Sequence, residues 1–179
     1  MLLFHSTHAI RMMFLLRPLE GLLTGSVVIA QISLALALLG AAVVFGTDVF
    51  FCVVGRAALS RVSDAALVDT MGRLHEVADR RMPIFGVIGI VGALAGIAFS
   101  KASLPWTLTA VAAQIVWVVV YRTVAGPVNA ELTRHARAGS VPTEARALQA
   151  RWDSVIVPRA LLMGFAVVAL AAALVRSAQ

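Results

Sequence analysis

The sequence predicts an all-α membrane protein, a bundle of four transmembrane helices joined by amphipathic helical connections. Three observations carry this prediction. Hydrophobic residues make up 60% of the 179 residues, charged residues 13%, and the mean hydropathy is +0.92, whereas a soluble globular chain is nearer a quarter charged. The apolar residues gather into four runs, each long enough to cross a bilayer as a helix of about 20 residues. None of the runs has the strict alternation of a β-barrel strand. Residues 24–179 read as the integral membrane domain. Residues 1–23 read as an N-terminal segment, either amphipathic or a mis-assigned start, with Met12 and Met13 as later starts. The segment lacks the basic n-region and small-residue cleavage site of a signal peptide. His5 and His8 would be absent from a chain begun later, and neither is given a role.

Span one covers 24–46 and continues as helix through Gly55. Between Val27 and Val54 its one charge is Asp48. A carboxylate within an apolar span costs several kcal/mol unless it is paired, hydrated or protonated, so Asp48 is either part of a site or sits at the headgroups. Residues 56–82 follow as an amphipathic helix, with Ser63 as its cap. Leu67, Met71, Leu74 and Ala78 form its apolar stripe, and Asp69–Arg73 and Glu76–Arg80 are i,i+4 ion pairs. Pro83 ends or kinks that helix where span two (83–100) begins. Span two carries Gly86, Gly89, Gly92 and Gly96. Such small residues let helices approach closely in lipid, and they place span two inside the bundle or against a second copy of the chain. Span three covers 105–125. After a loop at 138–142, Thr143 can cap the helix leading into span four, 155–175. Gln31 and Gln114 are mid-span polar residues suited to interhelical hydrogen bonds.

The net charge of +6 belongs to the loops beside apolar spans and not to an aromatic-basic surface for nucleic acid. Arg56, Arg61, Arg73, Arg80 and Arg81 lie in connection 1–2, and Arg134, Arg137, Arg146 and Arg151 in connection 3–4. Arg11, Arg17, Lys101 and Arg176 fall on the other side. The bias expects both long connections in the cytoplasm and both termini outside, in a multi-pass protein of the cell membrane. The single cysteine, Cys52, excludes an internal disulfide and reads as a small packing residue.

Several polar residues are candidates for chemistry. His75 and Asp79 are i,i+4 on one helical face and, with Asp48, make a candidate ligand set for iron, manganese or zinc. The alternative is a solvated helix facing headgroups, with no metal at all. Asn129, in Pro127–Val128–Asn129, is a helix cap or a hydrogen-bond partner for a substrate. His135 reads as a surface histidine. Trp152 reads as an interfacial anchor, and Arg159 can snorkel or pair with Asp153 or Asp48. No Walker loop, GxSxG, HExxH or GxGxxG motif is present.

The order of these pieces resembles the anthrone oxygenase-like family of small four-helix membrane proteins, a group filed as a domain of unknown function. The resemblance covers residues 30–175. It rests on GTDVFFCVVGRAAL (46–59), V-x-x-M-G-R-L-H (68–75) leading to M-P-I-F (82–85), G-P-V-N-A-E-L (126–132) and R-W-D-x-x-x-x-P-R (151–159). It implies oxidation of polycyclic phenols (anthrones) to quinones by molecular oxygen without a recognised organic cofactor, and it matches Asn129, Trp152 and Arg159 to the family pattern. Two departures stand out. The stretch LTRHARAG (132–139) lacks the Trp that many relatives carry after the Asn, and Ile156 lies where many carry a His. If that His serves as base or ligand, this chain would use a different site.

Anthrone oxidation requires a base to take an activated proton and a donor to stabilise the enolate. Asp48 or His75 is the candidate base, and Asn129 or Arg159 the candidate donor. The first functional expectation is thus an oxidoreductase acting on an apolar phenolic or quinone-type molecule. The alternative is a non-catalytic scaffold or lipid- or partner-binding bundle, including a homo-oligomer through span two. A small carrier is a third. Convergence of Asp48, His75, Asn129 and Arg159 on one cavity separates the first from the rest.

Overall fold

The computed structural model describes the backbone of residues 4–178 and the side chains of residues 25–178. The described residues are helical and contain no strand. Helix α1 runs Phe4–Phe50, passes through a π-helical turn at Phe51–Gly55 and ends with Arg56–Leu59. Helix α2 runs Asp64–Phe99. Helix α3 runs Leu104–Val120, through a second π turn at Tyr121–Ala125, and on through Gly126–Ala138. Helix α4 runs Ala145–Arg176. All four are long and apolar enough to cross a membrane, so the protein is a multi-pass membrane bundle of four helices. The backbone of α1 is helical across the expected boundary at residue 23. The amphipathic reading of 1–23, and His5, His8, Arg11 and Arg17, fall on side chains outside the described residues.

A helix of 36 residues such as α2 is about 54 Å long, well beyond the roughly 30 Å of a bilayer core. The surplus lies at one end, where the α1–α2 and α3–α4 connections meet. There Ser63 caps α2 by accepting from the Ala66 N–H at 3.3 Å, as its place before the helix predicts. Arg146 braces the same corner. It donates to Asp64 at 2.7 Å and to the Leu59 carbonyl at 3.0 Å, occupying an acceptor that the end of α1 leaves free. The ion pair Asp69–Arg73 forms at 2.7 Å. Glu76 reaches Arg80 at only 3.8 Å, because Arg137 of α3 takes it at 2.8 Å.

The small residues of α2 are used inside the chain. A Cβ on Gly92 would lie 2.7 Å from the Ser33 carbonyl oxygen and 3.0 Å from the Ala37 nitrogen, both on α1. A Cβ on Gly40 of α1 would likewise meet the Phe85 carbonyl at 2.6 Å. Gly72, nearer the connection end, lies against the Leu132 carbonyl of α3, which its Cβ would meet at 2.5 Å. Of the two placements open to span two, the one inside the bundle is seen at Gly92 and Gly96, which face α1.

Two apolar cores result. One, in the spans, is built on Leu34, Ala41, Val44, Ala93, Ala110, Met163 and Leu170. The other, at the connection end, is built on Leu67, Met71, Val128, Leu132, Trp152 and Ile156. Large apolar side chains such as Ile32, Leu39, Val91, Ile115 and Phe165 are exposed around the spans, as lipid requires.

Several local expectations are corrected. Helix α2 continues through Pro83 instead of ending there. Leu74 is exposed, and the buried stripe of that helix is Leu67, Val68, Met71, Gly72 and His75. Thr143 bonds Glu144 and makes no cap for α4. Gln114 donates to its own helix at Ala110, 3.4 Å away, and bridges no other helix by a hydrogen bond.

Gly92→Ala is expected to destabilise the bundle by about 1–3 kcal/mol through the forced separation of α1 and α2. A Cβ on Gly86 meets nothing within 4 Å, so Gly86→Ala is expected to be neutral or slightly stabilising through helix propensity. Unfolding of the two variants in one detergent checks the contrast.

Candidate functional site

Between the two cores lies a layer of polar and aromatic side chains contributed by all four helices. Asp48 belongs to the buried face of α1 that includes Leu34, Ala37, Ala41 and Val44, and it is 1% exposed. Its Oδ1 accepts from Arg159 Nη2 of α4 at 2.7 Å, and its Oδ2 accepts from Trp117 Nε1 of α3 at 2.7 Å. Asp48 is thus paired, the condition under which an apolar span tolerates a carboxylate. Of the three for Arg159, the pair with Asp48 holds. Asp153 instead accepts from Gln149 at 2.9 Å.

Arg159 is enclosed by aromatic rings. Its guanidinium carbon lies 4.8 Å from the Trp117 ring centre, 5.7 Å from Trp152 and 5.9 Å from Tyr121. The face of an aromatic ring attracts a cation, most strongly once both have lost water. Trp117 and Tyr121 are one helical turn apart on α3 and stack in parallel, with centroids 5.7 Å apart. Trp152 is corrected from interfacial anchor to core residue: it is buried, packed on Phe51 at 5.1 Å and on the His75 ring at 5.6 Å.

A second carboxylate repeats the pattern toward the connection end. Asp79 accepts from the Tyr121 hydroxyl at 2.9 Å and from the Asn129 amide at 3.0 Å. Asn129 is therefore no cap. It is buried inside α3, beyond the second π turn. A π turn admits one residue more than an α turn and so re-aims the face that follows, and such turns recur at functional sites. Both π turns border this layer, one starting three residues after Asp48 and the other at Tyr121. The first is shaped around the Phe51 ring, which lies so close to Gly55 that a Cβ there would meet it at 2.5 Å.

The candidate ligand set Asp48, His75 and Asp79 does not gather at one point. Among the described residues no three His, Cys, Asp or Glu side chains gather to hold an ion. Asp48 and Asp79 are each engaged by two donors, and among the described residues His75 bonds neither of them. His135 is half-buried, bonded to Ser140 at 2.9 Å and beside Glu131 at 3.3 Å, away from the layer. Cys52 is half-buried and packs against the connection-end core.

Four buried polar atoms of the layer have no hydrogen-bond partner among the described residues: His75 Nε2, Asn129 Oδ1, Trp152 Nε1 and Arg159 Nε. An open groove of about 620 Å³ between α2 and the second half of α3 reaches the layer at His75 and Asp79. Asp48, Asn129 and Arg159 do not line it. The structure thus joins Asp48 to Arg159 and Asp79 to Asn129, and sets His75 against Trp152, without one cavity common to all. Trp117 and Tyr121 escaped the sequence reading. Their i,i+4 spacing at the end of span three, with Tyr121 the single tyrosine, was the signal. No family model, no curated protein and no solved structure matches this chain.

Removing one member of a buried ion pair leaves the other charge unpaired, at a cost of about 3–5 kcal/mol, whereas an apolar pair of similar volume is often tolerated. Asp48→Leu and Arg159→Met are each expected to lose stability on that scale, and the double variant less than the sum of the two. A double-mutant cycle of reversible unfolding in detergent measures the coupling.

Proposed function

We propose that this membrane protein oxidises a phenolic or quinone-type small molecule at the polar layer, as the resemblance to anthrone oxygenase-like proteins implies. The supporting observation is His75, which lines the inner end of the α2–α3 groove and packs on the layer in which Asn129, Trp152 and Arg159 also keep an unpartnered buried atom. His75 Nε2 is the base. It removes a proton from the doubly activated carbon of an anthrone-type substrate. Trp152 Nε1–H and Arg159 Nε–H are donors for the enolate oxygen, and Asn129 Oδ1 accepts from a substrate hydroxyl. The electron-rich carbon reduces molecular oxygen and forms the new C–O bond. Cleavage of the O–O bond then leaves a quinone carbonyl and one water, which carries the second oxygen and the two hydrogens lost from carbon. Asp48 is a positioning residue in this scheme. Its two oxygens hold Arg159 and Trp117, and a carboxylate so engaged is a poor base. The arginine-rich connection end faces the cytoplasm of the cell membrane.

One observation favours a non-catalytic bundle instead: both carboxylates of the layer, buried Asp48 and half-buried Asp79, already have two donors each. A scaffold would need no more. The two readings part at His75, whose Nε2 a scaffold has no use for.

Purified protein in detergent is expected to raise quinone formation from an anthrone above its background rate in air. His75→Ala is expected to lower the catalysed rate about a hundredfold, the usual scale for a general base, with the helical content unchanged. Wild-type protein that leaves the background untouched rules out oxidation of that substrate.

A further inference from the structure

The walls of the α2–α3 groove bear on what enters it. We infer that the groove is a binding port for anionic hydroxylated aromatic molecules, a phenolate or hydroxybenzoate-type compound, admitted from the headgroup side of the membrane. The inference rests on the small-molecule reading above and narrows its substrate class.

Three features of the groove support it. Its mouth carries Arg80, Arg134 and Arg137. Arg80 and Arg137 share the single carboxylate of Glu76, at 3.8 and 2.8 Å, so one positive charge there is left over, and Arg80 holds the longer contact. Arg134 is engaged by Glu131 of its own helix. The aliphatic residues of its lining are both alanines, Ala130 and Ala138, so it lacks the large aliphatic side chains that would suit a lipid tail. At the inner end stands His75, 5% exposed with Nε2 unpartnered, and beside it Asp79, whose oxygens are occupied by Tyr121 and Asn129. A ligand with its anionic group at Arg80 and a hydroxyl directed to the His75 imidazole spans the groove. The volume of about 620 Å³ is in the usual range for small-molecule sites. The guanidinium head suits a planar carboxylate or phenolate, which it can meet with two parallel N–H donors.

The experiment is equilibrium dialysis of the full chain in nanodiscs of zwitterionic lipid, at low ionic strength and without oxygen. The probes are 2-hydroxybenzoate and its neutral isostere 2-hydroxybenzamide. The acid is expected to bind about tenfold tighter than the amide, the scale of one charge-assisted hydrogen bond. Arg80→Gln is expected to abolish that preference, and the Arg80 side chain is 73% exposed, so folding does not depend on it. Glu76→Gln, which frees both arginines, is expected to strengthen binding of the acid several-fold. Equal binding of acid and amide, absence of acid binding, or a preference that survives Arg80→Gln overturns the port. Anthrone turnover with no acid preference removes the port and leaves oxidation standing. Acid-selective binding without turnover does the reverse.

Discussion

The ion pair between Asp48 and Arg159 is the constraint on which the rest of the bundle depends. Neither charge is tolerable alone inside an apolar span, since each unpaired ion costs several kcal/mol there. The carboxylate therefore requires the guanidinium, which sets the height of α4 against α1. The Trp117 indole adds a third helix to the same carboxylate. The packing around this contact is non-directional: Ala37, Ala41, Ala93, Ala166 and Ala169 fill the span core, and alanine faces can slide past one another at small cost. A charge with two directed donors cannot slide. The polar contact supplies register, and the small residues supply closeness.

The same arrangement recurs a few ångströms nearer the connection end, where Asp79 of α2 takes donors from Tyr121 and Asn129 of α3. The stacked pair Trp117–Tyr121 ties the two carboxylates together, because each ring donates to a different one. Such a two-tier layer requires α3 to present Trp117, Tyr121 and Asn129 on compatible faces. A regular helix repeats at 3.6 residues, and the π turn at Tyr121–Ala125 changes that repeat between Tyr121 and Asn129. The irregular backbone and the polar layer are thus one feature. The π turn at Phe51–Gly55 has the corresponding place on α1, just beyond Asp48, where Phe51 must reach Trp152.

The architecture was legible in the sequence because lipid imposes it. Four apolar runs admit few solutions besides four helices, and Ser63 before an amphipathic stretch marks a helix start through ordinary backbone chemistry. Asp48 was legible as an anomaly, and its partner Arg159 was among those the sequence named. Leu74, Asn129 and Trp152 were misplaced for one reason: a residue type was matched to its commonest role while the phase of the helix was set elsewhere. His75, not Leu74, continues the buried face with Leu67, Val68, Met71 and Gly72, since packing of Gly72 against Leu132 rotates α2 toward α3. Asn129 lies beyond a π turn that no glycine or proline within Tyr121–Ala125 announces. The glycine face of α2 could not be assigned from composition, because a close approach within the chain and one between chains call for the same residues.

The distribution of satisfied and unsatisfied groups in the layer argues for its use. A buried polar atom without a partner costs about 1–3 kcal/mol, and most buried polar groups in folded proteins are hydrogen-bonded. In this layer the carboxylates, which are the most costly groups to bury, are fully engaged. Their neighbours His75, Asn129, Trp152 and Arg159 each keep one atom without a protein partner. A layer serving only to hold helices together could carry phenylalanine at 152 or leucine at 75 and avoid that cost. In the proposed oxidation these four atoms are the ones that a substrate hydroxyl and carbonyl would satisfy. Of these four residues, only His75 lines the α2–α3 groove, which opens among arginines and not among the lipid-facing apolar side chains.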